Sequence, residues 1–147
     1  MIQSASLKHL EQILEIENMV FNYPWSRNQI ENDLKCMVNV ENIVFLNNGD
    51  VIGYVLGRII DDEFHLNNIA VNKNYQSNNI GKFMIENLCI RLKNKCITTI
   101  YLEVSINNKP AQKLYDSFGF KQDGLRKDYY SIGNHALLFN LKLESYG

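Results

Sequence analysis

The chain has 147 residues, 46% of them hydrophobic, and a formal net charge of −1 at pH 7. This length is enough for one domain with a substantial core and too short for two, so we predict a single domain over residues 1–147. The near-neutral charge excludes the clustered basic excess that is typical of proteins that bind nucleic acid or an anionic membrane surface.

The chain also carries no sequence signal for a membrane, for secretion or for a metal. No stretch approaches the roughly eighteen consecutive apolar residues of a membrane span, and the N-terminus lacks the basic and hydrophobic regions of a signal peptide. Cys36, Cys89 and Cys96 are widely spaced and form no metal-ligand pattern. We therefore expect a cytoplasmic protein with reduced thiols and no metal.

The N-terminal segment predicts a short strand over residues 2–5 and then two helices. Pro24 ends the first helix, and Ser26 is a favourable N-cap for the second. The only tryptophan, Trp25, lies between them, where it either anchors the connection by packing or forms an aromatic wall of a binding cleft. The first helix places five apolar residues on its core side: Leu7, Leu10, Ile13, Leu14 and Val20.

Between residues 43 and 71 the pattern changes to strands. Residues 43–46 and 51–60 flank an Asn-Asn-Gly-Asp turn, which predicts a hairpin. A second turn, Asp61-Asp62-Glu63, leads into a third strand over residues 64–71. This acidic turn is either simply solvated or attracts a cationic substrate terminus.

Residues 66–92 predict a strand, a polar loop and a helix that starts at Ile80-Gly81-Lys82. The first turn of a helix has unpaired backbone N–H groups and the positive end of the helix dipole, so this junction suits an anion such as a diphosphate. An ordinary strand-loop-helix unit without a ligand fits the local pattern equally well. The apolar stripe of the helix consists of Ile80, Met84, Leu88 and Leu92.

The C-terminal part predicts a strand over residues 98–104, parallel to the strand before the helix because a helix connects the two. A further helix opens at Asn108-Lys109-Pro110 and is capped by Gly119. Two last strands, from residue 120 onward and over residues 135–143, are linked by residues 129–134. The predicted fold class is α+β, with a mixed, mostly antiparallel sheet, a central parallel strand pair and flanking helices.

Two side chains of this part are candidates for chemistry. Glu103 lies in an apolar strand, near the end that points the same way as the anion-binding helix terminus, where a carboxylate is costly unless it faces water or a ligand. Tyr115 lies on the apolar face of the next helix. Glu103 is therefore a candidate base and Tyr115 a candidate hydroxyl donor, although a solvated carboxylate and an ordinary core tyrosine are the simpler alternatives.

The chain resembles the GCN5-related N-acetyltransferase (GNAT) superfamily, and within it the bacterial ribosomal-protein-alanine N-acetyltransferases, the RimI group. The resemblance covers nearly the whole chain and is most specific in LEV, an asparagine five residues later, LY-x-x-x-GF and a terminal YY. The segments that carry it are YPWS (23–26), NIAV (68–71), YQSNNIGK (75–82), YLEV (101–104), NKPAQKLYDSFGF (108–120) and RKDYY (126–130).

This resemblance implies direct transfer of an acetyl group from acetyl-CoA to the N-terminal alanine of small-subunit ribosomal protein eighteen, by a monomer without a metal or a covalent enzyme intermediate. By residue matching, Glu103 is the general base and Tyr115 the general acid, and Tyr129 and Tyr130 flank the peptide entrance, with Trp25 as a further substrate contact. The matched cofactor-binding residues are Ile69, Ala70 and Val71 for the pantetheine arm, Ser77, Asn78, Asn79, Ile80, Gly81 and Lys82 for the diphosphate, and Asn108.

The loop departs from the superfamily pattern Arg/Gln-x-x-Gly-x-Gly at one position, because Asn79 stands where the first glycine belongs. Asparagine tolerates left-handed backbone angles, so we expect the turn to be kept. Two other functions are compatible with the sequence. One is acetylation of another amine (a lysine, a polyamine or a small molecule), and the other is an acetyl-CoA sensor without turnover, which needs neither Glu103 nor Tyr115.

Overall fold

The computed structural model describes residues 1–145, except the side chains of residues 77, 78 and 145. Four α-helices and seven strands lie within this part. The helices are α1 (Leu10–Val20), α2 (Arg27–Lys35), α3 (Ile80–Asn94) and α4 (Lys109–Ser117). The strands are β1 (Ile2–Ser4), β2 (Ile43–Asn47), β3 (Asp50–Ile60), β4 (Glu63–Val71), β5 (Thr99–Ser105), β6 (Lys121–Ser131) and β7 (Asn134–Lys142). The predicted α+β class with a mixed sheet is confirmed.

The chain forms two compact units. The first comprises Met1–Ile59 and Asn67–Leu88, and the second comprises Ile60–Leu66 and Cys89–Gly147. Strand β4 and helix α3 each contribute residues to both units. That the whole chain is one domain stays a prediction. None of the helices in the described part combines the length and the apolar character that membrane crossing demands.

The first unit has the strand order β1-β2-β3-β4, in which β1 with β2 and β2 with β3 pair antiparallel. The predicted hairpin between β2 and β3 turns at Asn48 and Gly49, which both have a positive φ (51° and 87°), as a tight two-residue hairpin requires. Helices α1 and α2 bury their apolar sides in the core of this unit. Leu7 is an exception to the predicted stripe: it lies in a 3-10 turn before α1 and is 46% exposed.

A close approach within the first unit fixes the start of α3 against the strands. Gly53 of β3 has no side chain, and a Cβ at this position would lie 2.6 Å from the Met84 sulfur and 3.1 Å from the Ala70 carbonyl oxygen. The ring of Phe83 packs edge-on against Phe45 of β2, with 6.0 Å between the centroids. Glycine at position 53 thus lets α3 approach β3 and β4 closely.

The second unit has the strand order β4-β5-β7-β6. Its parallel pair joins Glu63–His65 of β4 to Thr99–Tyr101 of β5, as predicted, and the remaining pairs, β5 with β7 and β6 with β7, are antiparallel. Helix α4 packs on one face of these strands through Tyr115, whose ring lies 5.4 Å from that of Phe120 and 6.3 Å from that of Phe139.

Strand β6 is longer than predicted. Residues 129–134 were expected to form the link to the last strand, but β6 continues to Ser131 and only residues 132 and 133 form the turn. The register changes from Arg126 opposite Ala136 to Ser131 opposite Asn134. Between these two pairs, β6 has the four residues 127–130, whereas β7 has a single residue. Residues 127–130 therefore form a bulge in β6.

Candidate active site

The loop before α3 has the backbone geometry that the sequence predicts. Asn79 is left-handed, with φ 59° and ψ 23°, so asparagine does support the turn where a glycine is usual. Its carbonyl accepts the first helical hydrogen bond from the Phe83 amide at 3.1 Å. The amides of Ile80, Gly81 and Lys82 precede this bond and belong to the first turn of the helix, whose N–H groups have no partner within the helix itself. They suit an anionic ligand.

Hydrogen bonds between residues close in sequence stabilise the loop itself, which contains a 3-10 helix over Lys73–Asn78. The Asn72 side chain accepts from the Asn74 amide at 2.9 Å, and the Gln76 side chain donates to the Val71 carbonyl at 3.0 Å. The end of β4 is thereby tied to the loop. The diphosphate contacts predicted for Ser77 and Asn78 run through their backbone N–H groups and stay predictions, and the side chains of these two residues lie outside the described part of the chain.

Beside the N-terminus of α3 lies a cavity of about 340 Å³ within the first unit. Phe45, Tyr75, Ile80 and Phe83 form most of its aromatic and aliphatic wall. Predominantly apolar walls with a few polar groups are typical of ligand sites.

Trp25 fits the packing interpretation and also borders a groove. The ring is half-buried against the core cluster of the first unit, and it lines an open groove of about 610 Å³ between α1 and the start of α2. The Trp25 amide donates to the buried Glu17 carboxylate at 2.9 Å, which also accepts from Tyr54 and Asn68. Burial raises the pKa of the Glu17 carboxyl, and these hydrogen bonds oppose that shift. Glu17 thus holds the segment between α1 and α2 in place through the Trp25 amide.

In the second unit, Glu103 lies two residues beyond the part of β5 that pairs with β4, since that pairing ends at Tyr101. Its side chain is 29% exposed, and one carboxylate oxygen lies 3.1 Å from the Arg126 guanidinium. The Tyr129 ring lies beside the same guanidinium, with 5.1 Å between the Arg126 Cζ and the ring centroid. The pKa of Tyr129 is raised, first by burial and then by the charge of Glu103.

Glu103 and Tyr115 point to opposite faces of β5. Phe139 is opposite Leu102 in the antiparallel register, so the ring contact of Tyr115 with Phe139 lies on the Leu102 face. The side chain of Glu103 alternates to the other face. The two side chains therefore start from opposite faces of β5, and their joint action on one thioester stays a prediction.

Tyr130 lies within electrostatic reach of both groups. Burial raises the pKa of Tyr130 to about 12, with the charges of Glu103 and Tyr129 as further causes. Tyr115 is almost fully buried, and its pKa is raised by burial and then by Tyr130. The bulge of β6 thus brings a phenol near both the candidate base and the candidate acid. The catalytic roles of Glu103 and Tyr115 stay predictions.

Asn108 has a structural contact that the sequence did not reveal. Its side-chain oxygen accepts from the Ala111 amide at 3.2 Å and caps the N-terminus of α4. The Nδ2 group is not used in this cap. A cofactor contact of Asn108 therefore stays a prediction, and it would have to be compatible with the cap.

Four residues of this region were missed as functional groups: Glu17, Arg126, Asp128 and His135. Glu17 falls on the apolar stripe of α1, and a carboxylate on a core stripe was a usable signal. From the sequence, Arg126 was recognised only as a cationic residue that precedes two tyrosines. Asp128 and His135 are seven residues apart on different strands, and no local pattern connects them. No group of three or more His, Cys, Asp or Glu side chains that could hold a metal is found in the described part of the chain.

The strand order, the parallel β4–β5 pair and the helix that follows β4 together are the fold of an N-acetyltransferase. The sequence model of the acetyltransferase (GNAT) family matches residues 10–120. The chain belongs to this family and is an N-acetyltransferase.

Individual N-acetyltransferases resemble this chain in sequence and in structure. A [ribosomal protein bS18]-alanine N-acetyltransferase from Haemophilus ducreyi is 32% identical over 132 residues, which are 90% of this chain and 90% of the relative. The crystal structure of the ribosomal-protein-S18-alanine N-acetyltransferase from Escherichia coli superimposes with a TM-score of 0.91 at 27% identity and covers 100% of this chain and 96% of that one. A PaiA N-acetyltransferase from Thermoplasma acidophilum in complex with coenzyme A has the same fold, with a TM-score of 0.79 at 17% identity and coverage of 97% and 98%.

Proposed function

We propose that this chain transfers the acetyl group of acetyl-CoA directly to the α-amine of the N-terminal alanine of ribosomal protein bS18, in the cytoplasm. The acceptor is taken from the names of relatives that match almost end to end. The observation that carries the chemistry is the cluster of the second unit, in which Glu103 is half-buried and bordered by Arg126 and Tyr129.

The donor side of the proposal rests on the first unit. The amides of Ile80, Gly81 and Lys82 at the start of α3 suit the diphosphate of acetyl-CoA. Residues 69–71 lie beyond the part of β4 that pairs with β5. Their main chain suits hydrogen bonds with the amides of the pantetheine arm, which would extend the sheet like an added strand. Asn108 is the remaining proposed cofactor contact.

The reaction needs two protons removed from the acceptor nitrogen and one leaving group stabilised. Glu103 takes the first proton from the α-ammonium, whose pKa is near 8, and the free amine attacks the thioester carbonyl. The new C–N bond forms as the C–S bond breaks, coenzyme A leaves as a thiolate, and the nitrogen gives its second proton to that thiolate as the amide forms. Tyr115 donates a hydrogen bond to the sulfur. Full proton transfer from a phenol with a raised pKa to a thiolate of pKa about 8.5 is uphill by more than about 2 kcal/mol.

The test is acetylation of a peptide that carries the N-terminus of bS18 after methionine removal. With purified protein and acetyl-CoA, the peptide should gain the mass of one acetyl group, located on the α-amine by fragmentation. The same peptide with a blocked N-terminus and a free lysine is the control. Acetylation of the lysine control alone would reject the N-terminal acceptor and keep the acetyltransferase.

Glu103→Gln separates catalysis from cofactor binding. We expect turnover to fall by about 10²–10⁴-fold, the usual contribution of a general base, with little change in the affinity for acetyl-CoA. A wild-type protein that binds acetyl-CoA without acetylating any amine would identify a sensor instead. An equal loss of turnover and cofactor binding in the variant would give Glu103 a structural role.

A further inference from the structure

We propose that Arg126 occupies the place of the acceptor ammonium at Glu103 in the free enzyme, so that the incoming amine has to displace the guanidinium. This inference rests on the proposed role of Glu103 as the base. It adds an internal competitor to the reaction and makes Arg126 a residue that sets acceptor specificity.

The surroundings of the guanidinium are those of a cation site. Its Nη1 lies 3.1 Å from a Glu103 carboxylate oxygen, and its Cζ lies 5.1 Å from the centroid of the Tyr129 ring. A carboxylate beside an aromatic face is a favourable site for an alkylammonium ion as well as for a guanidinium. Burial and then the charge of Glu103 raise the pKa of Tyr129, so the acid, the guanidinium and the ring form one cluster.

Arg126 is placed to leave this site without disturbing the fold. Its side chain is 56% exposed, so the guanidinium can return to water. Its backbone is fixed opposite Ala136, the last paired position before the bulge of residues 127–130. The strand therefore stays in register when the side chain moves, and the aromatic side chains of the bulge remain for the acceptor.

The consequence is selection for charged acceptors. The guanidinium neutralises the Glu103 carboxylate and pairs with one of its oxygens, so it competes with the acceptor ammonium for the same acid. A cationic amine replaces one positive charge with another at the carboxylate, whereas a neutral acceptor leaves Glu103 with Arg126. The cost of displacement is that of a partly exposed ion pair and corresponds to about a two- to fivefold weaker apparent acceptor affinity.

The experiment compares Arg126→Met, which keeps the length and removes the charge, with Arg126→Lys, which keeps a cation. The acceptor probe is alaninamide, which has the α-ammonium of an N-terminal alanine and nothing beyond it. At saturating acetyl-CoA, R126M should lower the KM for alaninamide about two- to fivefold with kcat unchanged, and R126K should resemble the wild type. Lys121→Met, which removes an exposed cation from the same strand, is the control for net charge.

A higher KM or a lower kcat in R126M would overturn the proposal, because Arg126 would then hold Glu103 in its working position. A second measurement does not depend on turnover. In the wild type without acetyl-CoA, the NMR signal of the Arg126 Nε–H should shift on addition of alaninamide. If the enzyme acetylates alaninamide but the Arg126 signal does not shift, only the displacement is rejected and the proposed reaction is kept. A shifted signal without any acetylation would support the displacement and reject the proposed reaction.

Discussion

At the scale of single residues, Tyr115 is the clearest case of a side chain whose surroundings define its chemistry. It packs between Phe120 and Phe139, and burial raises its pKa above the ordinary value near 10. The phenol therefore remains protonated over the whole range in which an α-amine is a useful nucleophile. It is suited to donating a hydrogen bond and poorly suited to giving up its proton.

This predicts the alkaline side of the pH profile. Because the pKa of Tyr115 is higher in the folded than in the unfolded chain, its contribution to stability is complete below pH 10 and is lost as the pH rises through the folded-state value. Turnover of the wild type should thus show no fall from loss of the phenolic proton up to about pH 10. Tyr115→Phe should lower kcat by about 10- to 100-fold at every pH below that, since it removes one hydrogen bond to the developing thiolate.

Steady-state kinetics between pH 6 and 10 check this prediction. The control is Tyr23→Phe, which changes an exposed tyrosine in the connection before α2. A wild-type profile that falls near pH 8.5, with an unchanged profile in Y115F, would assign the titration to another group. Equal kcat values of Y115F and the wild type would remove Tyr115 from the reaction.

The sequence was informative about residues whose chemistry depends on their immediate neighbours. Asn79 before a helix start predicts a left-handed turn, and φ 59° agrees. The opposite directions of Glu103 and Tyr115 were not predicted, because they depend on the register between β5 and β7 and on the face that α4 covers. Arg126 was missed for a related reason: its partner Glu103 lies on another strand.

At the scale of elements, the bulge of β6 determines where Tyr129 and Tyr130 lie. Asp128 has a left-handed backbone, with φ 51°, and its amide donates to Nδ1 of His135 at 2.9 Å. Its carboxylate accepts from the Gly133 amide at 2.7 Å. The His135 ring accepts through Nδ1 in this arrangement, so its hydrogen is on Nε2. Two hydrogen bonds thus hold an irregular segment at the end of a hairpin.

We therefore expect His135→Leu to loosen the bulge and His135→Asn, whose side-chain oxygen can replace Nδ1 as acceptor, to preserve it. The lost hydrogen bond is worth about 1 kcal/mol, so hydrogen exchange of the Asp128 amide should become about fivefold faster in H135L. The KM for the acceptor should rise by a similar factor because Tyr129 and Tyr130 are less well held. The affinity for coenzyme A should not change.

Amide exchange and a separate binding measurement for coenzyme A distinguish a local from a general effect. If H135N behaved like H135L, the acceptor function of Nδ1 would be irrelevant. Faster exchange throughout β6 and β7 would indicate a hairpin that is weakened as a whole.

The elements themselves were largely predictable, because their signals are local: Ser26 before α2, Asn48-Gly49 in the first hairpin, and the apolar stripe of α3. The long β6 was not. Residues 127–130 resemble a loop in sequence, and what keeps them in a strand is pairing and hydrogen bonding with residues across the hairpin. Leu7 was placed in the core because it continues the helical spacing, but the helix proper begins three residues later.

At the scale of the whole molecule, ligand binding and stability are linked. A cofactor that binds only the folded state stabilises it by RT ln(1 + [L]/Kd), about 2.7 kcal/mol at a concentration of 100 Kd. For a chain of 147 residues this corresponds to a rise in Tm of roughly 5–10 °C. We expect this rise with coenzyme A, since the proposed diphosphate site at the start of α3 exists only when the loop is folded.

Asn79 allows the same measurement to test the loop. The Asn79→Gly variant keeps the left-handed backbone and removes a side chain beside the proposed diphosphate, so the rise in Tm with coenzyme A should be larger than in the wild type. The Asn79→Ala variant places a methyl group on a left-handed residue and should lower the Tm without ligand, by the equivalent of about 1 kcal/mol. Differential scanning fluorimetry at several concentrations of coenzyme A measures both effects. A smaller rise in N79G would mean that the side-chain amide of Asn79 itself binds the cofactor. No rise in the wild type at millimolar coenzyme A would mean that the folded chain does not bind coenzyme A at these concentrations, and would reject the proposed diphosphate site.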